Sequence, residues 1–286
     1  MADFDSRPLL MTETASVWDV ACPGACKHRS DEEHVAATHL VFPYRGVYVH
    51  HVGRAETVAE ANQVVILNED EPYRVSHPFE GGDASLSIAP STAVLLELAP
   101  EHYLLAKDRA AFNRSRLRVD THTQALAARL RHGLWRGFMD AIEAESLTLT
   151  LIRRALGEST SLAPGGSYGR QKLVDRAKLV LASDLGRRWT LADIAAVVGV
   201  SPVYLTQLFR QVEGLPLYHY QLQRRLARAL DRLGERVDLT ELALDLGFSS
   251  YSHFSNAFKR SYGQTPLQFQ RDARVRLKHF ASASGC

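Results

Sequence analysis

The sequence predicts an α+β protein of two domains, since its 286 residues exceed a typical domain of about 150. Short apolar segments separated by turns fill residues 34–90, whereas apolar residues fall at helical spacing from residue 121 onward. The C-terminal part contains, twice, a pair of helices joined by a tight turn. We therefore expect an N-terminal antiparallel β-barrel or sandwich with two following helices, and then an all-α domain.

The composition is that of an ordinary globular protein. With 45% hydrophobic and 23% charged residues, the chain does not fit the disordered, collagen-like or coiled-coil classes. No apolar run approaches the roughly 20 residues that cross a bilayer, and the start lacks the pattern of a signal peptide. Three cysteines, Cys22, Cys26 and Cys286, are too few for a disulfide framework. We expect a cytoplasmic protein that binds no membrane.

The predicted strands lie between residues 34 and 90. Residues 39–52 mix aromatic and β-branched side chains around a turn at residues 43–46. Residues 62–77 add a four-residue apolar run, an acidic turn and a second alternating segment. Glycines at residues 81–82 indicate a further hairpin. Several short strands separated by turns favour an antiparallel barrel or sandwich.

Two helices and a linker are predicted next. Leu126, Leu130, Leu134 and Phe138 begin a helical pattern that continues to residue 156, and these helices either pack on the strands or form a dimer contact. Residues 157–170 are rich in Gly, Ser and Pro without periodicity, which is typical of a flexible linker. The predicted organisation is a first domain at residues 1–156, a linker at 157–170 and a second domain at 171–286.

Charge divides along the same boundary. Residues 167–286 contain 18 Lys and Arg against 10 Asp and Glu, a net charge of +8, whereas the preceding residues carry −6. A basic module joined to an acidic one indicates that the basic module meets phosphates.

Two segments of the second domain, residues 190–216 and 238–266, resemble each other. The first-helix residues Leu191, Ile194, Ala195 and Gly199 match Leu239, Leu242, Ala243 and Gly247; after a one-residue insertion, Leu205, Phe209 and Gly214 match Phe254, Phe258 and Gly263. Each segment therefore encodes one complete pair of helices.

Local signals define both pairs. Thr190 with Asp193, and Asp238 with Glu241, have the spacing that caps a first helix. The matched glycines stand where that helix must stop with a positive φ. Ser201 then precedes the second helix of the first unit, and Ser249 or Ser250 precedes that of the second; these helices leave a polar face uncovered. A second helix presented in this way is suited to the DNA major groove.

Residues 217–234 predict an amphipathic linking helix of 18 residues, about 27 Å long. Major-groove faces on one side of B-DNA recur about every 34 Å. The linking helix therefore suits two reading helices one turn of DNA apart.

The segment from residue 173 to 271 resembles the DNA-binding domain of the AraC/XylS family of bacterial transcription regulators. The resemblance rests on LADIAAVVGVSPVYLTQLFR, on the basic linking helix and on LALDLGFSSYSHFSNAFKRSYGQTPLQFQR. It implies a sequence-specific regulator of double-stranded DNA that forms a homodimer and meets RNA polymerase if it activates. The first domain resembles the family's cupin-like sensing barrel more loosely, which implies a small-molecule effector.

Eleven residues on the two second helices are predicted to bind DNA, because they point away from the buried face: Val203, Tyr204, Thr206, Gln207, Arg210, Tyr251, Ser252, Ser255, Asn256, Lys259 and Arg260. Gln207 and Asn256 suit adenine edges, whereas Val203 suits a thymine methyl group. The three basic residues suit phosphates, which position the protein without reading sequence. On the linking helix, contact with phosphates and a solvated face remain alternatives for Arg224, Arg225 and Arg228.

The first domain contains two sets of candidate ligands. An effector site could be lined by Tyr44, Tyr48, Tyr73, Arg74 and His77, with Arg74 serving an anion. Cys22, Cys26 and His28 form C-x3-C-x-H and could hold zinc, although this spacing is not a usual zinc pattern. A redox pair of cysteines and unliganded side chains remain alternatives. His50 and His51 cannot both face one pocket from a strand.

We predict that the protein is not an enzyme. The alternative is a cupin-type metalloenzyme with an appended nucleic-acid module, but the barrel lacks a convincing set of histidines and an acidic residue for a catalytic metal. A third possibility is that the first domain serves only to form dimers.

Overall fold

The computed structural model describes residues 4–24, 28–106, 109–157, 168–235 and 237–273. Residues 158–167 of the predicted linker lie outside these ranges, as do Cys26 and Cys286. The described part confirms an N-terminal α+β domain followed by an all-α domain.

The N-terminal strands form three antiparallel sheets. The largest has six strands in the order β1-β2-β8-β3-β6-β11, the second has three in the order β5-β4-β7, and the third pairs β9 with β10. The strands are β1 (Asp5–Met11), β2 (Ala15–Cys22), β3 (His39–Arg45), β4 (Tyr48–Val52), β5 (Ala55–Ala59), β6 (Gln63–Leu67), β7 (Arg74–Ser76), β8 (Asp83–Pro90), β9 (Leu104–Ala106), β10 (Arg109–Phe112) and β11 (Arg116–Arg118).

These sheets do not join into one closed barrel. Within the described ranges, the outer strands β1 and β11 each pair with one neighbour and not with each other. The register of β3 against β8 shifts between Pro43 and Arg45, where proline has no N–H to donate. Gly46 follows with φ of 70°. The chain then enters β4 in the second sheet, so the predicted strands are present but divided between sheets.

Helices α1 (Thr92–Leu98), α2 (Thr121–Trp135) and α3 (Ala141–Leu156) complete the first domain. The side chains of Asp120 and Asp140 cap α2 and α3. Apolar residues of both helices join the core of the six-stranded sheet, which supports packing on the strands. The dimer contact predicted for this helix pair stays a prediction.

The second domain contains α4 (Tyr168–Ser183), α5 (Leu191–Val198), α6 (Pro202–Glu213), α7 (Leu217–Arg232), α8 (Leu239–Asp245), α9 (Tyr251–Tyr262) and α10 (Pro266–Asp272). One core joins α4, α5, α6 and the start of α7. A second core joins the end of α7 to α8, α9 and α10. The domain thus consists of two helical units, each with its own core, connected by α7.

No single helix in the described ranges is long and apolar enough to cross a membrane. Helices α5 and α6 pass this test only as a pair, and they meet at 85°.

Candidate nucleic-acid interface

The first helical unit has the local geometry that its sequence predicts. Thr190 Oγ1 accepts a hydrogen bond from the Asp193 amide at 3.1 Å, and the Asp193 carboxylate accepts one from the Thr190 amide at 3.0 Å. Gly199 ends α5 with φ of 82°. Ser201 then caps α6, with Pro202 at its first position. The angle of 85° between the two helices is close to that of helix-turn-helix motifs.

The second unit repeats this arrangement. The Asp238 side chain accepts from the amides of Thr240 and Glu241, and Gly247 turns the chain with φ of 77°. Of the two candidate serines, Ser250 caps α9 by accepting from the His253 amide at 3.2 Å. Both predicted pairs of helices are therefore confirmed.

The linking helix α7 has 16 residues rather than the predicted 18. At 1.5 Å per residue it is about 24 Å long. It ends before Gly234, where a Cβ would overlap the His132 ring of α2.

Helices α6 and α9 bury one face and expose the other. Leu205, Phe209, Phe254 and Phe258 are fully buried in the two cores. The predicted DNA-binding residues lie on the opposite faces, and nine are exposed: Val203, Tyr204, Thr206, Gln207, Arg210, Ser252, Asn256, Lys259 and Arg260. Tyr251 and Ser255 are half-buried, because each lies at the edge of the packed face. Contact of these eleven residues with DNA stays a prediction.

Two further exposed residues, Gln211 and His253, share these faces and were missed from the sequence. The repeat could have found them, because Leu205 and Phe209 match Phe254 and Phe258 at a constant offset. The same offset matches His253 with Tyr204 and Gln211 with Arg260.

Three of the four arginines of α7, Arg224, Arg225 and Arg228, have partners within the protein. Arg224 is buried, and its Nη1 lies 2.9 Å from the Glu60 carboxylate. Arg225 donates to the carbonyls of Leu185, Arg187 and Gly247. Arg228 pairs with Asp231. The solvated face is therefore wrong for the buried Arg224, whereas contact of the half-buried Arg225 and Arg228 with phosphate stays a prediction. The sequence shows the charge of Arg224 and Arg225 but not their partners, which lie far away along the chain.

The two domains meet through a buried group of charges that we call the interdomain ion cluster: Glu60, Arg116, Arg118, Asp175, Lys178, Glu213 and Arg224. Lys178 Nζ lies 2.6 Å from Glu213 and 3.8 Å from Glu60. Arg118, the last residue of β11, places its Nη2 atom 2.7 Å from the carboxylate of Glu213. Burial opposes ionisation of Glu213, but Lys178 and Arg118 outweigh it and lower the pKa of this carboxyl group. The cluster therefore ties the end of α6 to the first domain.

A second contact joins α2 to the second helical unit. Arg131 donates to Asp231 at 2.8 Å, and the Tyr262 hydroxyl donates to the Gln124 side chain at 3.2 Å. His132 Nε2 donates to the Leu230 carbonyl at 3.0 Å. A small cavity of about 30 Å³ lies beside this contact and is lined from both domains, by Tyr44 and Gln63 on one side and by Ala227 and Leu230 on the other.

The structure separates Tyr44 from the other four residues predicted to line an effector site. Tyr44 lines the interdomain cavity, under the Arg131 guanidinium and bonded to Asp19. The others belong to the three-stranded sheet or its continuation. There Tyr73 donates to Glu33, Arg74 donates to the Ser30 carbonyl, and Tyr48 lies against the His77 ring. His50 and His51 are both buried, with different partners. The described residues do not bring all five side chains into one pocket, so the effector site stays a prediction.

The candidate metal ligands also separate. Cys22 lies close to His77 and Asp83, whereas His28 is exposed and does not join this group. Cys26 falls outside the described ranges.

We expect acid to weaken the contact between α2 and the second unit. Burial lowers the pKa of His132 to about 3, and Arg131 acts in the same direction. Because this pKa lies below the ordinary value of 6.5, the neutral ring stabilises the fold above pH of about 6.5, and the stabilisation is lost as the pH falls toward 3. Melting temperatures measured from pH 7 to pH 4 should fall, and His132→Gln should reduce this slope.

His50 contributes to the same slope, because burial lowers its pKa to about 4. The matched control is His122→Gln, since His122 is exposed on the same helix α2. An equal change of slope in both variants would contradict the role of His132.

A family model described as "Helix-turn-helix domain" matches residues 194–272. The probable transcriptional regulator LumQ of Photobacterium leiognathi is 26% identical over 232 residues, which cover 77% of this chain and 86% of LumQ. The transcriptional activator RhaR of Klebsiella pneumoniae is 33% identical over 108 residues, 37% of this chain and 38% of RhaR. The chain thus spans most of LumQ but little more than a third of RhaR.

Solved structures are similar as well. A transcriptional regulator with an AraC-type DNA-binding domain from Chromobacterium violaceum is 30% identical, with 37% of this chain and 96% of that chain covered and a TM-score of 0.35. ToxT from Vibrio cholerae is 12% identical, with 91% and 98% covered and a TM-score of 0.37.

Proposed function

Because the chain carries a helix-turn-helix domain of the AraC type at its C-terminus, we propose that it is a sequence-specific transcription regulator that reads two successive major grooves. Helices α6 and α9 are the reading helices, and α7 sets their separation. The observation that carries this proposal is the pairing of two capped helix-turn-helix units, each with one buried and one exposed face on its second helix.

Electrostatics supports the same role. The second domain carries the positive charge of the chain, and Arg210, Lys259 and Arg260 lie exposed at the C-terminal ends of the two reading helices. Basic side chains beside a groove-reading helix contact phosphates and make affinity dependent on salt. The side-chain amides of Gln207 and Asn256 are exposed on the same helices, and an amide suits the edge of an adenine.

The first domain is proposed to control the second. The interdomain ion cluster holds Glu213, the last residue of α6, and α2 contacts the helices around α9. A small effector that alters either contact would change the placement of a reading helix. Homodimer formation, contact with RNA polymerase and a cytoplasmic location belong to the same proposal. The relatives are transcription regulators, and we infer a regulator rather than a cupin-type metalloenzyme.

Asn256→Ala tests the reading role. The cognate site is first selected from random duplexes with the full chain. Loss of a bidentate adenine contact should then weaken binding to that site by about 1–3 kcal/mol and relax specificity at one base pair. Affinities for cognate and random duplexes are measured at one salt concentration, because phosphate contacts depend on salt.

Lys259→Ala is the matched control, one turn away on the same exposed face of α9. It should weaken both duplexes alike and flatten the dependence of affinity on salt. If Asn256→Ala also weakens both duplexes alike, Asn256 does not read a base.

A further inference from the structure

The ends of three segments of the first domain meet beside Cys22. Cys22 is the last residue of β2 and pairs across the sheet with Asp83, the first residue of β8. His77 follows β7 and reaches the same place. One candidate ligand atom from each of these three side chains lies within 4.8 Å of the other two.

The buried ring of His77 has a partner at only one of its two nitrogens. Its side chain is 1% exposed, and Nε2 lies 2.6 Å from the Asp83 carboxylate. Its other nitrogen, Nδ1, is buried without a hydrogen-bond partner among the residues that the structure describes. A buried polar atom of this kind costs free energy unless a partner is supplied.

Glycines let the backbone close around this group. A Cβ on Gly82 would overlap the Cys22 carbonyl oxygen, and a Cβ on Gly24 would lie 2.7 Å from Gly82 N. A Cβ on Gly46 would overlap the Gly82 carbonyl oxygen. All three glycines have positive φ, between 64° and 79°. Only glycine fits at these three positions, so the turns pack closely and hold the segments that carry Cys22, His77 and Asp83 in place.

The donor set has the chemistry of a transition-metal site. A thiolate and an imidazole are preferred by zinc, and a carboxylate serves as a further ligand. One thiolate and one carboxylate would balance the charge of a divalent ion. Ligand atoms about 2 Å from a tetrahedral zinc lie roughly 3.3 Å apart, so three candidate atoms within 4.8 Å of one another need only small side-chain shifts to close on the ion. An open cavity lined by Cys22, Asp83 and Arg45 provides an entry path.

We propose that Cys22, His77 and Asp83 form a zinc site with three protein ligands and one open position. The site differs from the C-x3-C-x-H set in the sequence, because His77 and Asp83 take the places of Cys26 and His28. It lies in the first domain and binds its ion independently of DNA.

The test uses the full chain, stripped of metal with a chelator and then titrated with Zn²⁺ against a chromophoric competitor. One equivalent should bind, and it should raise the melting temperature, since a ligand of the folded state stabilises it. Co²⁺ in place of Zn²⁺ should give the intense absorption of a cobalt–thiolate bond. Cys22→Ser should abolish that absorption, and His77→Gln and Asp83→Asn should each weaken zinc binding at least tenfold.

His28→Gln is the matched control and should bind zinc as the unchanged chain does. If His77→Gln fails to fold, Asp83→Asn and the cobalt spectrum of Cys22→Ser decide the question. Absence of stoichiometric binding, or binding that Cys22→Ser and Asp83→Asn leave unchanged, would overturn the site. Loss of binding in His28→Gln but not in Asp83→Asn would assign the ion to the sequence motif instead.

Discussion

Lys178→Met is expected to destabilise the protein by about 3–5 kcal/mol, which is typical when one partner of a buried ion pair is removed. The Lys178 side chain is 1% exposed. Its ammonium group lies 2.6 Å from Glu213, 3.8 Å from Glu60 and 3.9 Å from Asp175. Methionine fills a similar volume but leaves these carboxylates with less positive charge, so the loss is electrostatic rather than a packing defect.

Thermal unfolding of the full chain, followed with a probe in each domain, measures this effect. Lys172→Met is the matched control, because Lys172 is exposed on the same helix α4 and should change stability by less than about 0.5 kcal/mol. The double variant Lys178→Met with Glu213→Gln should recover part of the loss, since it removes one of the unpaired charges. Equal melting temperatures for the Lys178 and Lys172 variants would show that the cluster does not hold the domains together.

The effect should also depend on pH. In the unchanged chain, Lys178 and Arg118 hold the pKa of Glu213 below its ordinary value despite burial. Their stabilisation is therefore present above the ordinary pKa of a glutamate and is lost as the pH falls through the lowered one. The difference in stability between Lys178→Met and the unchanged chain should shrink in acid, because protonation removes the carboxylate charge in both proteins.

Local features of this fold were predictable from the sequence, and long-range ones were not. The caps at Thr190, Ser201 and Asp238 and the turns at Gly199 and Gly247 depend on residues within four positions of each other. The hydrogen bonds and backbone conformations that form these caps and turns therefore depend on a short window of sequence. The exposed faces of α6 and α9 follow from the same helical spacing.

The interdomain contacts lack such a local signal. In the sequence, Arg224 and Lys178 cannot be told from the exposed basic residues of an amphipathic helix. Both are buried in the structure, and both pair with Glu60 of the first domain. The group of Cys22, His77 and Asp83 likewise depends on the pairing of β2 with β8. Strand alternation predicts that such strands exist, but it does not say which strands pair or where one sheet ends.

Gly247→Ala is expected to cost about 2–5 kcal/mol and to reduce DNA affinity strongly. Part of this cost is the left-handed conformation, about 1–2 kcal/mol for a residue with a Cβ. The rest is overpacking, because a Cβ would overlap the Gly186 carbonyl oxygen and lie 2.6 Å from Arg225 Nη2. Gly199→Ala is the matched control: its φ is 82°, but within the described part no atom outside its immediate neighbours lies within 4 Å of its Cβ.

The expected loss of DNA affinity in Gly247→Ala follows from the hydrogen bonds of Arg225. Its guanidinium donates to Leu185 and Arg187, in the loop before α5, and to Gly247, in the turn before α9. One side chain of α7 thus links both helix-turn-helix units, and displacing it changes the placement of one reading helix relative to the other. Gly247→Ala should therefore lose affinity for a duplex with two half-sites more than for one with a single half-site, whereas Gly199→Ala should affect both duplexes equally. Equal losses of stability in the two variants, or no preference between the duplexes for Gly247→Ala, would show that this clamp does not set the spacing.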